Sequence, residues 1–143
     1  MAHEKHAAES PDLGACFPGL RVLLAEDNHI TQSMMKMRLS RMGCTVSVVN
    51  NGREAVDAVK EQPFDCILMD YHMPVLDGVE ATREIRSWEA AGQKTPIYIA
   101  AFTATSQTND RELLLGSGMD DILVKPMAVP NLIAILQRAC ERR

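Results

Sequence analysis

Four stretches of this chain run from apolar residues straight into side chains that can do chemistry. Glu26-Asp27 follows RVLLA (21–25), Asp70 follows DCILM (65–69), Thr103 follows PIYIAAF (96–102), and Lys125-Pro126 follows DILV (121–124). Carboxylates gathered at one rim repel each other unless a cation sits among them. An all-oxygen set suits Mg2+, which keeps several of its waters, with Mn2+ as the alternate ion. The expected direct ligands are Asp27 and Asp70, with Glu26 acting through water or from behind them. The backbone carbonyl of His72, two residues past Asp70, is placed to complete the set.

Carboxylate-held metal, a lysine and a hydroxyl together suit phosphoryl transfer, where catalysis is mostly positioning and charge neutralisation. One carboxylate must then be the nucleophile. Asp70 is the expected phosphoacceptor, because a central strand fixes it in the middle of the crevice. Lys125 would pair with one phosphoryl oxygen and the Thr103 hydroxyl would donate to another. Ala104, which follows, is small enough to leave access.

The elements that must position these residues alternate along the chain. Short apolar runs at 21–25, 45–49, 65–69, 96–102 and 121–124 are separated by helical patterns near 29–42, 53–61, 79–91, 108–117 and 129–141. This alternation predicts an α/β fold: a parallel sheet covered on both faces by helices. Right-handed crossovers put the loops after the strands at one edge, so residues distant in sequence meet there. In the first helix Ile30, Met35, Leu39 and Met42 are expected to form the buried stripe, ended by Gly43. The last helix has Pro130 in its first turn and Leu132, Ile133, Leu136 and Cys140 on its expected inner side. Residues 1–19 have no periodicity and read as a flexible leader or linker, with the folded domain at 20–143.

Composition narrows the function classes. A chain of 143 residues with 46% apolar and 24% charged residues fits one soluble domain with a real core. Net charge is −4 with both signs interspersed, so neither direct nucleic-acid binding nor membrane contact is expected. No basic-then-apolar leader is present, which makes the expected compartment cytoplasmic. Cys16, Cys44, Cys66 and Cys140 form no C-x-x-C pair and read as core residues or free thiols. The nine methionines read as adaptable core filler.

The acidic pair in LLAEDN, the block LMDYHMPVLDG, the Thr of AFTATS and the ending GMDDILVKP resemble, in this order and spacing, the receiver domain of two-component response regulators. The resemblance covers about residues 20 to 142 and is carried by the motifs together. It implies a flavodoxin-like (βα)5 doubly wound fold with five parallel strands. It also implies a Mg2+-dependent phosphoacceptor switch taking a phosphoryl group from a phosphohistidine onto Asp70, without being an enzyme in its own right. Lys125-Pro126 matches the family's cis peptide. The EDN opening followed by Gln32, and GMDD before the last strand, are most similar to receivers of hybrid histidine kinases. Implied partners are a histidine kinase or a histidine phosphotransfer protein, with a phosphorylation-dependent dimer as a further expectation.

Some positions depart from the family pattern or set its timing. Ile122 stands where many receivers carry an aromatic residue that changes rotamer, so a tyrosine-type switch is not expected. His72 and Thr105 stand at positions that, in the family resembled, flank the path of an attacking water, which implies that they tune phosphoaspartate lifetime. Asp77-Gly78 reads as turn chemistry rather than site chemistry. His3 and His6 read as leader residues, and His29 as exposed at a helix start. Two other functions compete with this one. A phosphorylation-independent interaction module is favoured only by Ile122. A Mg2+-dependent phosphohydrolase lacks the second general acid and the cap that it would need.

Overall fold

The computed structural model describes residues 16–104 and 108–143. The elements are β1 (Arg21–Ala25), α1 (His29–Arg41), β2 (Thr45–Val49), α2 (Gly52–Glu61), β3 (Cys66–Asp70), α3 (Gly78–Ala91), β4 (Tyr98–Thr103), α4 (Thr108–Gly116), β5 (Asp121–Val124) and α5 (Val129–Arg142). The five strands form one sheet in the order β2-β1-β3-β4-β5, and every pairing is parallel. This is the flavodoxin-like order, in which the connections reverse direction between β1 and β3 and open a crevice beyond the strand ends.

Burial explains why the strands read as apolar runs. Every residue of β3 and β4 is buried, because helices cover both sheet faces. Alternate residues serve opposite cores. Val22, Leu24, Cys66 and Leu68 pack with Met35, Leu39, Leu132 and Leu136 on the α1/α5 face. Leu23, Ile67 and Met69 pack with Val56, Val59, Val79, Ile85 and Leu114 on the face of α2, α3 and α4.

Three helices start at the crevice end with side-chain caps. Asn28 accepts from the Thr31 N–H at 2.9 Å, Asn51 from Glu54 at 2.8 Å and Asp77 from Glu80 at 2.9 Å. Each such bond satisfies a helix N–H that has no intrahelical partner, for about 1 kcal/mol. Asp77 thus does the structural work expected of it. Helix α5 has no side-chain cap but carries Pro130 in its first turn.

The structure departs from the sequence reading in several places. Ile30 is 79% exposed and is not part of the buried stripe. It lies five residues before Met35, about 140° away around the helix, whereas Leu39 is only about 40° away. Met34 and Met37 are also exposed, so these methionines are not core filler, unlike Met35, Met42, Met69, Met73 and Met119. Phe17, assigned to the leader, is buried in the α1/α5 core, and its N–H donates to the Met42 carbonyl at 2.7 Å. Ile133 and Cys140 are only partly buried, and Ile135 and Ala139 take the inner positions beside Leu132 and Leu136. Among the described cysteines, Cys44 and Cys66 are buried, Cys16 is exposed, and all four thiols are free. His29 is exposed at the start of α1, as expected; His3 and His6 lie outside the described residues. No helix among the described residues is long and apolar enough to cross a membrane.

Candidate functional site

β1 and β3 are neighbours in register, with Ala25 opposite Met69, so the residues just past them share the rim of the crevice. One oxygen from each of Glu26, Asp27 and Asp70 lies within 4.8 Å of the other two. Among the described residues no other His, Cys, Asp or Glu set converges in this way. Glu26 and Asp70 are buried while Asp27 is exposed, so the cluster opens to solvent on one side.

Lys125 reaches the cluster from the end of β5. Its ammonium donates to Glu26 Oε1 at 2.7 Å and lies 3.6 Å from Asp70 Oδ2. The same ammonium sits 4.8 Å from the centre of the Phe102 ring, whose face favours a cation. The Lys125-Pro126 bond is cis. The Lys125 N–H donates to the Thr103 carbonyl at 2.8 Å, which ties the β5 end to the β4 end. Thr103 itself is buried at 1% exposure, and Ala104 beside it is exposed.

The carboxylates differ in what holds them. Glu26 Oε2 accepts from the Asn28 N–H at 3.0 Å while its other oxygen meets Lys125, so both oxygens are engaged within the chain. Asp70 is pushed up from 3.8 to about 6, chiefly by burial and then by the negative charge of Glu26. Lys125 pulls the other way, Asp27 adds repulsion, and the backbone N–H of His72 donates to the carboxylate and opposes the rise. Such excess negative charge in an all-oxygen set fits a hard divalent cation, and Glu26, Asp27 and Asp70 are the residues to hold Mg2+.

The remaining expected residues are placed around this centre. His72 is exposed, with its ring stacked 4.2 Å from that of Tyr71. Ile122 is partly buried and packs against the core on the α2/α3/α4 face. Thr105 lies outside the described residues. Pro126 is exposed beyond the lysine.

Sequence reasoning gave Gln32 no structural role and passed over Asn50 and Gly52. The Gln32 amide donates to the Glu26 carbonyl and, at 2.8 Å, to Asn50 Oδ1. The Gly52 N–H donates to the Leu76 carbonyl at 2.9 Å. The one local signal was the Asn-Gly pair at the β2–α2 junction, which marks a turn but not its neighbours. Gly78 is a further close approach: a Cβ there would lie 2.2 Å from the Asp70 carbonyl oxygen.

Comparison with known proteins places this geometry. The response regulator receiver domain model matches residues 22–137. Sensor histidine kinase GacS of Pseudomonas protegens is 40% identical over 116 residues, which cover 81% of this chain and 13% of that protein. The chain thus spans only about an eighth of that relative's length. Among solved structures, the receiver domain of sensor histidine kinase PA1611 from Pseudomonas aeruginosa PAO1 has a magnesium ion coordinated in its active site cleft. It is 41% identical with a TM-score of 0.77, covering 86% of this chain and 98% of that one. Another similar structure is the co-crystal of the Saccharomyces cerevisiae histidine phosphotransfer protein Ypd1 with the receiver domain of the response regulator Ssk1. Its matched chain is 34% identical with a TM-score of 0.83, covering 88% of this chain and 92% of that one. The chain belongs to the response regulator receiver domain family.

Proposed function

We propose that this chain accepts a phosphoryl group from a phosphohistidine onto Asp70, as the receiver of a phosphorelay whose parent is a hybrid histidine kinase. The observation that carries the reading is the convergence of Glu26, Asp27 and Lys125 on one buried carboxylate. An Asp70 oxygen attacks phosphorus, the P–N bond to the donor imidazole breaks, and its electron pair returns to the ring nitrogen. Bound Mg2+ supplies charge neutralisation at the phosphoryl oxygens. Asp27, Asp70 and the His72 carbonyl are the proposed direct ligands. With both of its oxygens engaged, Glu26 acts through water.

Lys125 exchanges its Glu26 contact for a phosphoryl oxygen, and the Thr103 hydroxyl donates to another, with Ala104 leaving the approach open. Slow loss of the phosphoryl group to water is tuned by His72 and Thr105. The proposed compartment is cytoplasmic, and the proposed phosphorylated form pairs with a second copy.

The partner surface begins on α1. A donor histidine must come within bonding distance of Asp70, so its protein must rest on the rim. There Ile30, Met34 and Met37, 79%, 46% and 53% exposed, lie along one side of α1 directly after Asp27-Asn28. Apolar side chains held in water at that place suit a docking contact with a histidine phosphotransfer protein.

The test is transfer of labelled phosphoryl from a phosphorylated histidine phosphotransfer protein, with and without Mg2+. Label should move to this chain, stop on chelation and be absent in Asp70→Asn; transfer to Asp70→Asn at the normal rate contradicts the assignment. One observation favours a second reading. Ile122 packs in the core and has no ring to swing, which suits a module whose partner binding ignores phosphorylation. Equal partner affinity with and without beryllofluoride would select that reading.

A further inference from the structure

The β2–α2 junction contributes no carboxylate to the cluster of Glu26, Asp27 and Asp70, yet both loops that carry the cluster are fastened to it. We propose that Asn50 and Gly52, with Gln32, position the carboxylates for Mg2+, an inference that rests on the metal reading above.

On one side the junction holds Glu26 at both backbone groups. Its N–H donates to the Val49 carbonyl at 3.1 Å, and its carbonyl accepts from the Gln32 amide, which also donates to Asn50 Oδ1 at 2.8 Å. Asn50 is itself held, because its N–H and its side-chain amide donate to Glu54 Oε1 at 2.8 and 3.4 Å. On the other side the Gly52 N–H donates to the Leu76 carbonyl at 2.9 Å. That carbonyl approaches so closely that a Cβ on Gly52 would lie 2.1 Å from its oxygen. The loop holding Leu76 closes on itself where the Gly78 N–H donates to the Tyr71 carbonyl, one residue past Asp70. A shift of Leu76 therefore moves the segment that begins at Tyr71, directly after Asp70.

Capping alone does not require this arrangement. The N-cap of α2 is filled by Asn51, which accepts from the Glu54 N–H at 2.8 Å. The Gln32 bond to Asn50 and the contact of Gly52 with Leu76 add nothing to the cap; what they join is the two loops of the site.

The experiment is Mg2+ titration of the whole chain by calorimetry and amide chemical shifts, with melting temperatures measured without metal. Variants are Gln32→Met, Asn50→Ala and Gly52→Ala, with Asn51→Ala as the capping control. Groups that orient metal ligands from behind typically cost about 10-fold or more in affinity when removed. The expected result is about 10-fold weaker Mg2+ binding in Gln32→Met and Asn50→Ala. Asn51→Ala should lower the melting temperature while holding affinity within about two-fold. If Gly52→Ala does not fold, the solvent-exposed Asn50 still decides the matter. Wild-type affinity in both Gln32→Met and Asn50→Ala overturns the positioning role and leaves the metal reading intact. Absence of Mg2+ binding by the unaltered chain overturns the metal reading, and the positioning role with it.

Discussion

For the proposed transfer, Asp70 has to be buried enough to be held still and charged enough to attack phosphorus, and these demands oppose each other. Burial and the neighbouring carboxylates raise its pKa from 3.8 to about 6. A carboxyl raised on folding binds its proton more tightly in the folded chain. That stability is complete below the unfolded value near 4 and is lost as pH climbs through about 6. Asp70→Asn removes the titration and the repulsion together. Without metal it should therefore stabilise the chain at pH 7.5, by roughly 3 kcal/mol at most, with the gain shrinking as pH falls toward 4. Thermal melts across that range, wild type against variant, check this. Mg2+ needs the ionised form, so its affinity should fall as pH drops below about 6, which the same titration calorimetry measures. The carboxylates and Lys125 were legible in the sequence because they stand at the C-terminal ends of apolar runs in an alternating pattern. Gln32 and Asn50 were not, since a hydrogen bond between side chains 18 residues apart leaves no periodic trace.

At the scale of elements, the loop between β3 and α3 is held by glycine contacts and contains one strained residue. A Cβ at Gly78 would stand 2.2 Å from the Asp70 carbonyl oxygen and 3.0 Å from Met69 Cγ, in the proposed phosphoacceptor and the residue before it. Gly78→Ala should cost about 2–4 kcal/mol and slow phosphorylation, as denaturant unfolding and initial rates would show. Val75 adopts φ 71° while 79% exposed, a left-handed conformation that a β-branched side chain tolerates poorly. Val75→Gly should therefore stabilise by about 1 kcal/mol in the same unfolding assay. Element order and type were legible because apolar runs and helical stripes alternate without ambiguity. The orientation of α1 was legible only in part. Met35, Leu39 and Met42 share a face, but Ile30 belongs to a second apolar stripe that faces water, and hydrophobicity alone does not say which stripe meets the sheet.

At the scale of the molecule, a five-stranded parallel sheet brings the ends of β1, β3, β4 and β5 to one edge and sets the exposed side of α1 beside it. The proposed function therefore assigns phosphoryl acceptance and partner docking to separate residues. Met34→Glu with Met37→Glu should slow transfer from a histidine phosphotransfer protein about 10-fold or more while leaving phosphorylation by a small phosphodonor unchanged. Parallel stopped-flow rates with the two donors check this. The most direct test of the central claim needs no partner at all. The chain is incubated with acetyl phosphate and Mg2+, and its intact mass is read before and after alkaline treatment. The expected result is one added phosphoryl group that is lost in base, absent when metal is chelated and absent in Asp70→Asn. An unmodified chain, or an adduct that persists in Asp70→Asn, would contradict Asp70 as the phosphoacceptor.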